Sequence, residues 1–115
     1  MEIARGDLVI AVLPGDSGKG RPALVVQSNA FNGTHASIVV CPITSHLVET
    51  PIFRIPMKPT KGSGLATRSQ IMVDKITAIR RERIARVVGR METAEMAKVD
   101  RALRVWLDIE QAHRG

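Results

Sequence analysis

Apolar residues come in short runs over the first ninety positions and at helical spacing after them. "DLVIAVLP" is rich in β-branched residues and stops at Pro14 and Gly15, which predicts a strand over Asp7 to Leu13. "GDSGKG" reads as a loop. "PALVVQ" predicts a second strand, "SIVVCPI" a third over Ser37 to Ile43, and "PIFRIPM" a shorter one near Ile52 to Ile55. Pro51 and Pro56 bracket that short strand, which suits a sheet edge, where a missing N–H does least harm. "KPTKGSG" is expected to be an exposed, mobile connection. Strands resume at "SQIMVD", with further short ones at "KITAI" and "IARVVGR". Short strands separated by turn signals predict a mainly β fold, a small and strongly curved barrel.

The period then changes. Met96, Val99, Leu103, Trp106 and Leu107 recur at helical spacing, while Glu95, Lys98, Arg101, Arg104 and Asp108 take the other face. Thr93 or Glu92 can cap the N-terminus, and Glu92 and Glu95 suit the positive end of the helix dipole. One long C-terminal helix over roughly Thr93 to Ala112 is therefore expected to lie across the barrel. No internal repeat or domain boundary stands out, so residues 1–115 are read as a single domain.

Composition narrows the setting. Hydrophobic residues make up 44% and charged residues 24%, the balance of a folded chain. The N-terminal stretch lacks the pattern of a signal peptide, and no apolar run approaches the ~18 residues of a membrane helix. Cys41 is the only cysteine, which removes an intrachain disulfide. A cytoplasmic protein with no membrane association is expected.

Charge adds a partner class. The net charge is +6, and Lys75 to Arg90 carries six basic residues (Lys75, Arg80, Arg81, Arg83, Arg86, Arg90) against Glu82, hence +5. That field attracts polyanions, either nucleic acid or an acidic protein, although a basic run can also be a plain solvated face. Phe31, Phe53 and Trp106 are the only aromatic residues, too few for a sheet face that stacks bases. RNA would be held through Arg and Lys contacts and hydrogen bonds.

Metal chemistry has little support, because His35, His46 and His113 stand apart without the usual two-ligand spacing. No cofactor is expected. Three places remain where polar residues meet strand ends: Arg21 before the second strand, Thr44-Ser45 after the third, and Asp74-Lys75 after the fifth. Each has an ordinary reading as a turn or a solvated pair. Gathered over one groove, a guanidinium, a hydroxyl and a carboxylate would suit phosphoryl transfer.

Order and spacing add a resemblance. "ARGDLVIAVLP", "GRPALVVQSNAFN", "VVCPITS", "GLATRSQIMVDKITAI" and "VVGRMETAEMAKVDRAL" resemble, in register, the successive motifs of the MazF/PemK family of toxin–antitoxin ribonucleases. The resemblance runs from Arg5 nearly to the C-terminus. It implies an SH3-like β-barrel, a homodimer, and a metal-independent endoribonuclease that cuts single-stranded RNA at short sequences. The RNA's own 2′-OH would be the nucleophile, leaving a 2′,3′-cyclic phosphate and a 5′-hydroxyl. A cognate antitoxin with an acidic, partly disordered tail would be the protein partner.

By that resemblance Arg21 stabilises the pentacovalent phosphate, and Thr44 hydrogen-bonds the scissile phosphate or the 2′-OH. Neither residue type is a good general base at neutral pH. Asp74 matches an aspartate that has this role in the PemK branch, but Met72 stands where that branch has an arginine. Lys19, Ser45, His46, Lys75, Arg80 and Arg81 are the expected RNA contacts. The loop before Arg21 is short and Lys75 replaces a common glutamine, so the family's target triplets do not transfer. Two other readings stay open: a gyrase-poisoning toxin of the same fold, and an RNA-binding barrel without catalysis.

Overall fold

In the computed structural model, which describes residues 1–49, 53–62 and 64–109, strand β1 (Asp7–Val12) buries both of its faces. Leu8 joins one apolar cluster; Val9 and Ala11 join another. The same split runs through β2 (Gly20–Val25) and β3 (Ser37–Thr44), where side chains alternate between faces. Ala23, Val25, Ile38 and Val40 pack with Val9 and Ala11. Leu24, Cys41 and Ile43 pack with Met96, Val99 and Ala102 of the C-terminal helix. This is why the first three strands read as continuous apolar runs rather than as alternating ones. Each fully buried aliphatic side chain contributes about 1.5–3 kcal/mol.

Four more strands follow: β4 (Arg54–Met57), β5 (Ser69–Met72), β6 (Thr77–Arg80) and β7 (Ile84–Arg90). All pairings are antiparallel, in the order β4-β5-β3-β2-β1-β7, with β6 on β3. The mainly β fold with a C-terminal helix is as expected, and the word barrel fits it loosely: among the described strands β4 and β7 end the path unpaired with each other, so the sheet curls without closing. Part of the curl comes from β7, which slips against β1 at two places, leaving Val88 and Ala85 without a partner on β1. β4 lies at the sheet end, as the proline pattern predicts, but it is shifted so that Pro56 falls inside it rather than closing it; Pro51 and Ile52 lie outside the described residues.

Three short elements escape the periodic pattern. A four-residue helix α1 (Asn29–Asn32) is capped by the Ser28 hydroxyl, which accepts from the Ala30 N–H at 3.1 Å. Its buried Asn32 donates to the Gln27 carbonyl and the Asn29 Oδ1, both at 2.9 Å. The second is a 3₁₀ turn over Val73–Lys75. The sequence pattern carried the fifth strand through Asp74, yet the strand ends at Met72. Val73 is drawn into the core below, its N–H bonded to the Phe53 carbonyl at 2.9 Å, and the chain tightens around it. A similar turn over Arg81–Arg83 links β6 to β7.

The C-terminal helix α2 runs from Thr93 to Leu107 and lays Met96, Val99 and Ala102 on the sheet. Asp108 takes a left-handed conformation (φ 55°), and the Ile109 N–H returns to the Arg104 carbonyl at 2.9 Å. That is a Schellman-type stop, so the helix is shorter than the pattern implied. Asp108 and Ile109 lie beyond it, and residues 110–112 of the expected helix lie outside the described residues. Trp106 is 46% exposed and packs against Phe53 in a tilted arrangement, ring centroids 5.2 Å apart, rather than entering the core. The described part of "KPTKGSG" is exposed but tethered: its Gly62 carbonyl accepts from the Arg90 N–H at 2.8 Å.

Candidate active site

The loop between β1 and β2 folds back on itself. The Asp16 N–H bonds the Leu13 carbonyl at 3.1 Å, and the Lys19 N–H bonds the Asp16 carbonyl at 3.0 Å. This brings the Asp16 carboxylate to Arg21, Oδ1 to Nε 3.2 Å. Arg21 is half exposed, whereas the Asp16 side chain is only 13% exposed and its Oδ2 is buried with no hydrogen-bond partner. Arg21 stands opposite Ala11, and Pro22 opposite Ile10, so rigid strand fixes the root of the guanidinium. Its charge is thus held by an acid as well as by the backbone.

Alternation along the strands carries the site across the sheet. The β2–β3 ladder ends at Ala23↔Pro42; Arg21 and Thr44 lie two residues beyond it on their own strands, on the same faces as Ala23 and Pro42. Thr44 closes β3 opposite Gln70 of β5, and its Oγ1 accepts from the His46 N–H at 3.0 Å. The Gln70 amide clasps the main chain of Val48, accepting at 3.1 Å and donating at 2.9 Å, which pins the loop that follows Thr44. Two residues on, Met72 faces Arg54 of β4. Directly opposed residues, and residues two apart on one strand, share a face. Thr44, Gln70, Met72, Arg54 and Pro56 therefore line one face, with Arg21 at its β2 end.

Asp74 reaches this face from the 3₁₀ turn and meets a partner that sequence reasoning missed. Arg54 grips both of its oxygens, Nε to Oδ1 at 2.9 Å and Nη2 to Oδ2 at 3.2 Å. The two side chains are 13% and 17% exposed. The available signal was a lone charge inside the apolar "PIFRIPM". Asp16 offered no such signal, since an acid in a glycine loop is ordinary.

The expected RNA contacts divide. Lys19, Ser45, His46, Lys75 and Arg80 are exposed. Arg80 touches Glu82 at 3.8 Å, both mostly in water, a pair worth little and easily exchanged. Arg80 and Arg83 also line a cavity of about 380 Å³ beside the loop that carries Asp16. Arg81 is engaged elsewhere: its Nη2 donates to the Asn32 carbonyl and, at 2.9 Å, to the His35 carbonyl. A larger cavity of about 630 Å³ opens beside Gln70 and Pro56 and runs to the start of α2, passing Lys58, Arg68 and Arg90.

Cys41, in the core behind this face, is no nucleophile at neutral pH. Burial pushes its thiol up to about 12, against a smaller opposing pull from Arg5. Among the described residues no three His, Cys, Asp or Glu side chains gather where they could hold a metal ion.

A curled antiparallel sheet thus carries an anchored arginine, a strand-end hydroxyl and an oriented carboxylate on one face, groups whose chemistry suits a phosphodiester. The model of the PemK-like, MazF-like toxins of type II toxin–antitoxin systems matches residues 4–107, and the chain belongs to that family. It is 41% identical over 106 residues to the probable endoribonuclease MazF of Mycolicibacterium smegmatis, covering 91% of this chain and 96% of that protein. It is 27% identical over 113 residues to the endoribonuclease EndoA of Bacillus subtilis, covering 95% and 97%. Among solved structures, a mycobacterial endoribonuclease in complex with its cognate antitoxin superposes with a TM-score of 0.79 at 23% identity, over 96% of this chain and 99% of that one.

Proposed function

We propose that this chain is the toxin of a type II toxin–antitoxin pair, an endoribonuclease that cuts single-stranded messenger RNA at short sequences without a metal ion. The observation that carries the reading is the shared face: Arg21, Thr44 and the Arg54–Asp74 pair lie along it in a chain whose relatives are named endoribonucleases. In the proposed reaction the Asp74 carboxylate accepts the proton of the ribose 2′-OH, and O2′ attacks the adjacent phosphorus. The P–O5′ bond breaks, O5′ takes a proton from solvent, and the products are a 2′,3′-cyclic phosphate and a 5′-hydroxyl. Arg21 stabilises the charge that accumulates on the phosphoryl oxygens, and Thr44 donates to one of them. Arg21 keeps its Nε contact with Asp16 and meets the phosphate with its other N–H groups. Lys19, Ser45, His46, Lys75 and Arg80 hold the flanking nucleotides.

A homodimer and an antitoxin with an acidic tail complete the proposal; the basic run and a fold neighbour solved with its antitoxin support the second. The setting is cytoplasmic; no described helix is long and apolar enough to cross a membrane. The test is to incubate the protein with long mixed-sequence RNA in EDTA and map the ends. Cleavage should survive chelation, leave cyclic phosphates and vanish in Arg21→Ala. Intact RNA at high enzyme concentration, with binding retained, would leave only the non-catalytic reading; inhibition of gyrase without RNA cleavage would favour the other.

A further inference from the structure

We infer that Arg54 is a positioning residue of the cleavage site, whose task is to aim the Asp74 carboxylate at the RNA. The inference rests on the reading of Asp74 as the proton acceptor. A planar guanidinium that meets both oxygens of a carboxylate, at 2.9 and 3.2 Å, fixes that group's direction as a single-point contact cannot. Arg54 comes from β4 and Asp74 from the turn after β5, so the pair spans two elements.

The alternative is that the pair only fastens the turn to the sheet. That work is already done by other groups. Val73 is wholly buried, its N–H bonds the Phe53 carbonyl, and the Ile76 N–H bonds the Val73 carbonyl at 3.2 Å. With the backbone held on both sides of Asp74, the guanidinium is left to constrain the side chain. A carboxylate offers about four lone-pair positions; Arg54 occupies two, leaving two to accept from a ribose hydroxyl. Without Arg54 the carboxylate would lose its orientation together with its counter-charge.

Register suggests a sharp test. Met72 lies directly opposite Arg54 and two residues before Asp74, so a guanidinium placed at 72 approaches the same carboxylate from the same face. Single-turnover cleavage of a defined RNA is measured for the wild type, Arg54→Ala, Arg54→Lys, Asp74→Asn, Arg54→Ala/Asp74→Asn and Arg54→Ala/Met72→Arg. Asp74→Asn is expected to slow the chemical step at least about 100-fold. Arg54→Ala should slow it about 10- to 100-fold, as a misdirected group does, with the RNA concentration at half-maximal rate unchanged. The Arg54→Ala/Asp74→Asn variant should be no slower than Asp74→Asn, and Met72→Arg should restore most of what Arg54→Ala loses.

Losses that multiply in the Arg54→Ala/Asp74→Asn variant, or a weakened RNA affinity with an unchanged chemical step, would overturn the inference and make Arg54 an RNA contact. If Asp74→Asn is slow while Arg54→Ala is as fast as wild type, this inference alone fails. If Asp74→Asn is as fast as wild type, the proton-acceptor reading fails and takes this one with it. Should Arg54→Ala not fold, Arg54→Lys decides: lysine keeps the charge without the two-pronged grip, so a slow chemical step is expected and a wild-type one overturns the inference.

Discussion

Replacing Arg81 with alanine should damage the fold and spare RNA binding, although Arg81 sits in the middle of the basic run. Its guanidinium is half-buried and donates to two carbonyls, Asn32 and His35, at the end of α1. Hydrogen bonds to a charged group are worth about 1.5–3 kcal/mol each. Allowing for the exposed side of this pair, the loss comes to about 1–3 kcal/mol. With a urea slope of about 1–3 kcal/mol per molar, the unfolding midpoint should fall by roughly 1 M. Affinity for single-stranded RNA, measured by anisotropy over a salt series, should keep the wild-type slope. Arg80→Ala and Arg83→Ala are the contrast: both residues are exposed, and each should lower the logarithmic salt slope by about 0.7 with little change in stability. A salt slope lowered by about 0.7 in Arg81→Ala, with the urea midpoint unmoved, would refute the assignment of Arg81 to the scaffold.

Gly64→Ala should destabilise the chain by about 2–4 kcal/mol. Gly64 has φ +71°, and an added Cβ would sit 2.3 Å from the carbonyl oxygen of the bulged Val88, so clash adds to left-handed strain. Gly18→Ala, with φ +82° and nothing within 4 Å, should show the strain alone, about 1–2 kcal/mol; equal urea midpoints for the two would remove the clash from the account. The raised Cys41 thiol predicts a stability that falls as pH rises from 9, where the unfolded thiol ionises, towards about 12, because only the unfolded chain releases the proton there. Cys41→Ala should flatten that limb of a urea-midpoint profile, and an unchanged profile would contradict the burial effect. Arg5 donates to the Val26 carbonyl at 2.8 Å and to Asp100 at 2.6 Å, joining the first loop to α2. Arg5→Ala should cost about 1–2 kcal/mol, with Asp100→Ala adding little in that background; additive losses would mean that the two do not act as a pair.

What the sequence revealed was local. β7 (Ile84–Arg90) falls on the strand read there, because apolar runs and turn residues are properties of consecutive positions. Pro56 announced an edge strand, since a missing N–H limits a strand's neighbours wherever it lies. The errors came where a distant partner decides the local conformation. The strand expected to reach Asp74 ends at Met72 because Val73 is pulled beneath it and bonded to Phe53, twenty residues away. Nothing within "SQIMVD" reports that pull. α2 ends at Leu107 because Asp108 accepts a left-handed conformation, which helical spacing does not encode.

The site follows the same division, and the case of residue 72 shows why. Along the chain, Met72 leaves the position two before Asp74 without a charge, and the carboxylate reads as half of an incomplete pair. Across the sheet, residue 54 is the neighbour of residue 72, and it is an arginine. The guanidinium is present on the same face but enters from the adjacent strand, over a separation that no spacing motif spans. Arg21 differs only in degree: "GRP" marks it, yet Asp16, the acid that holds it, is placed by a loop whose fold depends on carbonyl contacts at Leu13 and Asp16. A strand-end motif therefore marks the group proposed to meet the phosphate, while the groups that hold it belong to the register. Swapping Met72 and Arg54 separates these two levels, because it changes the motif and keeps the register.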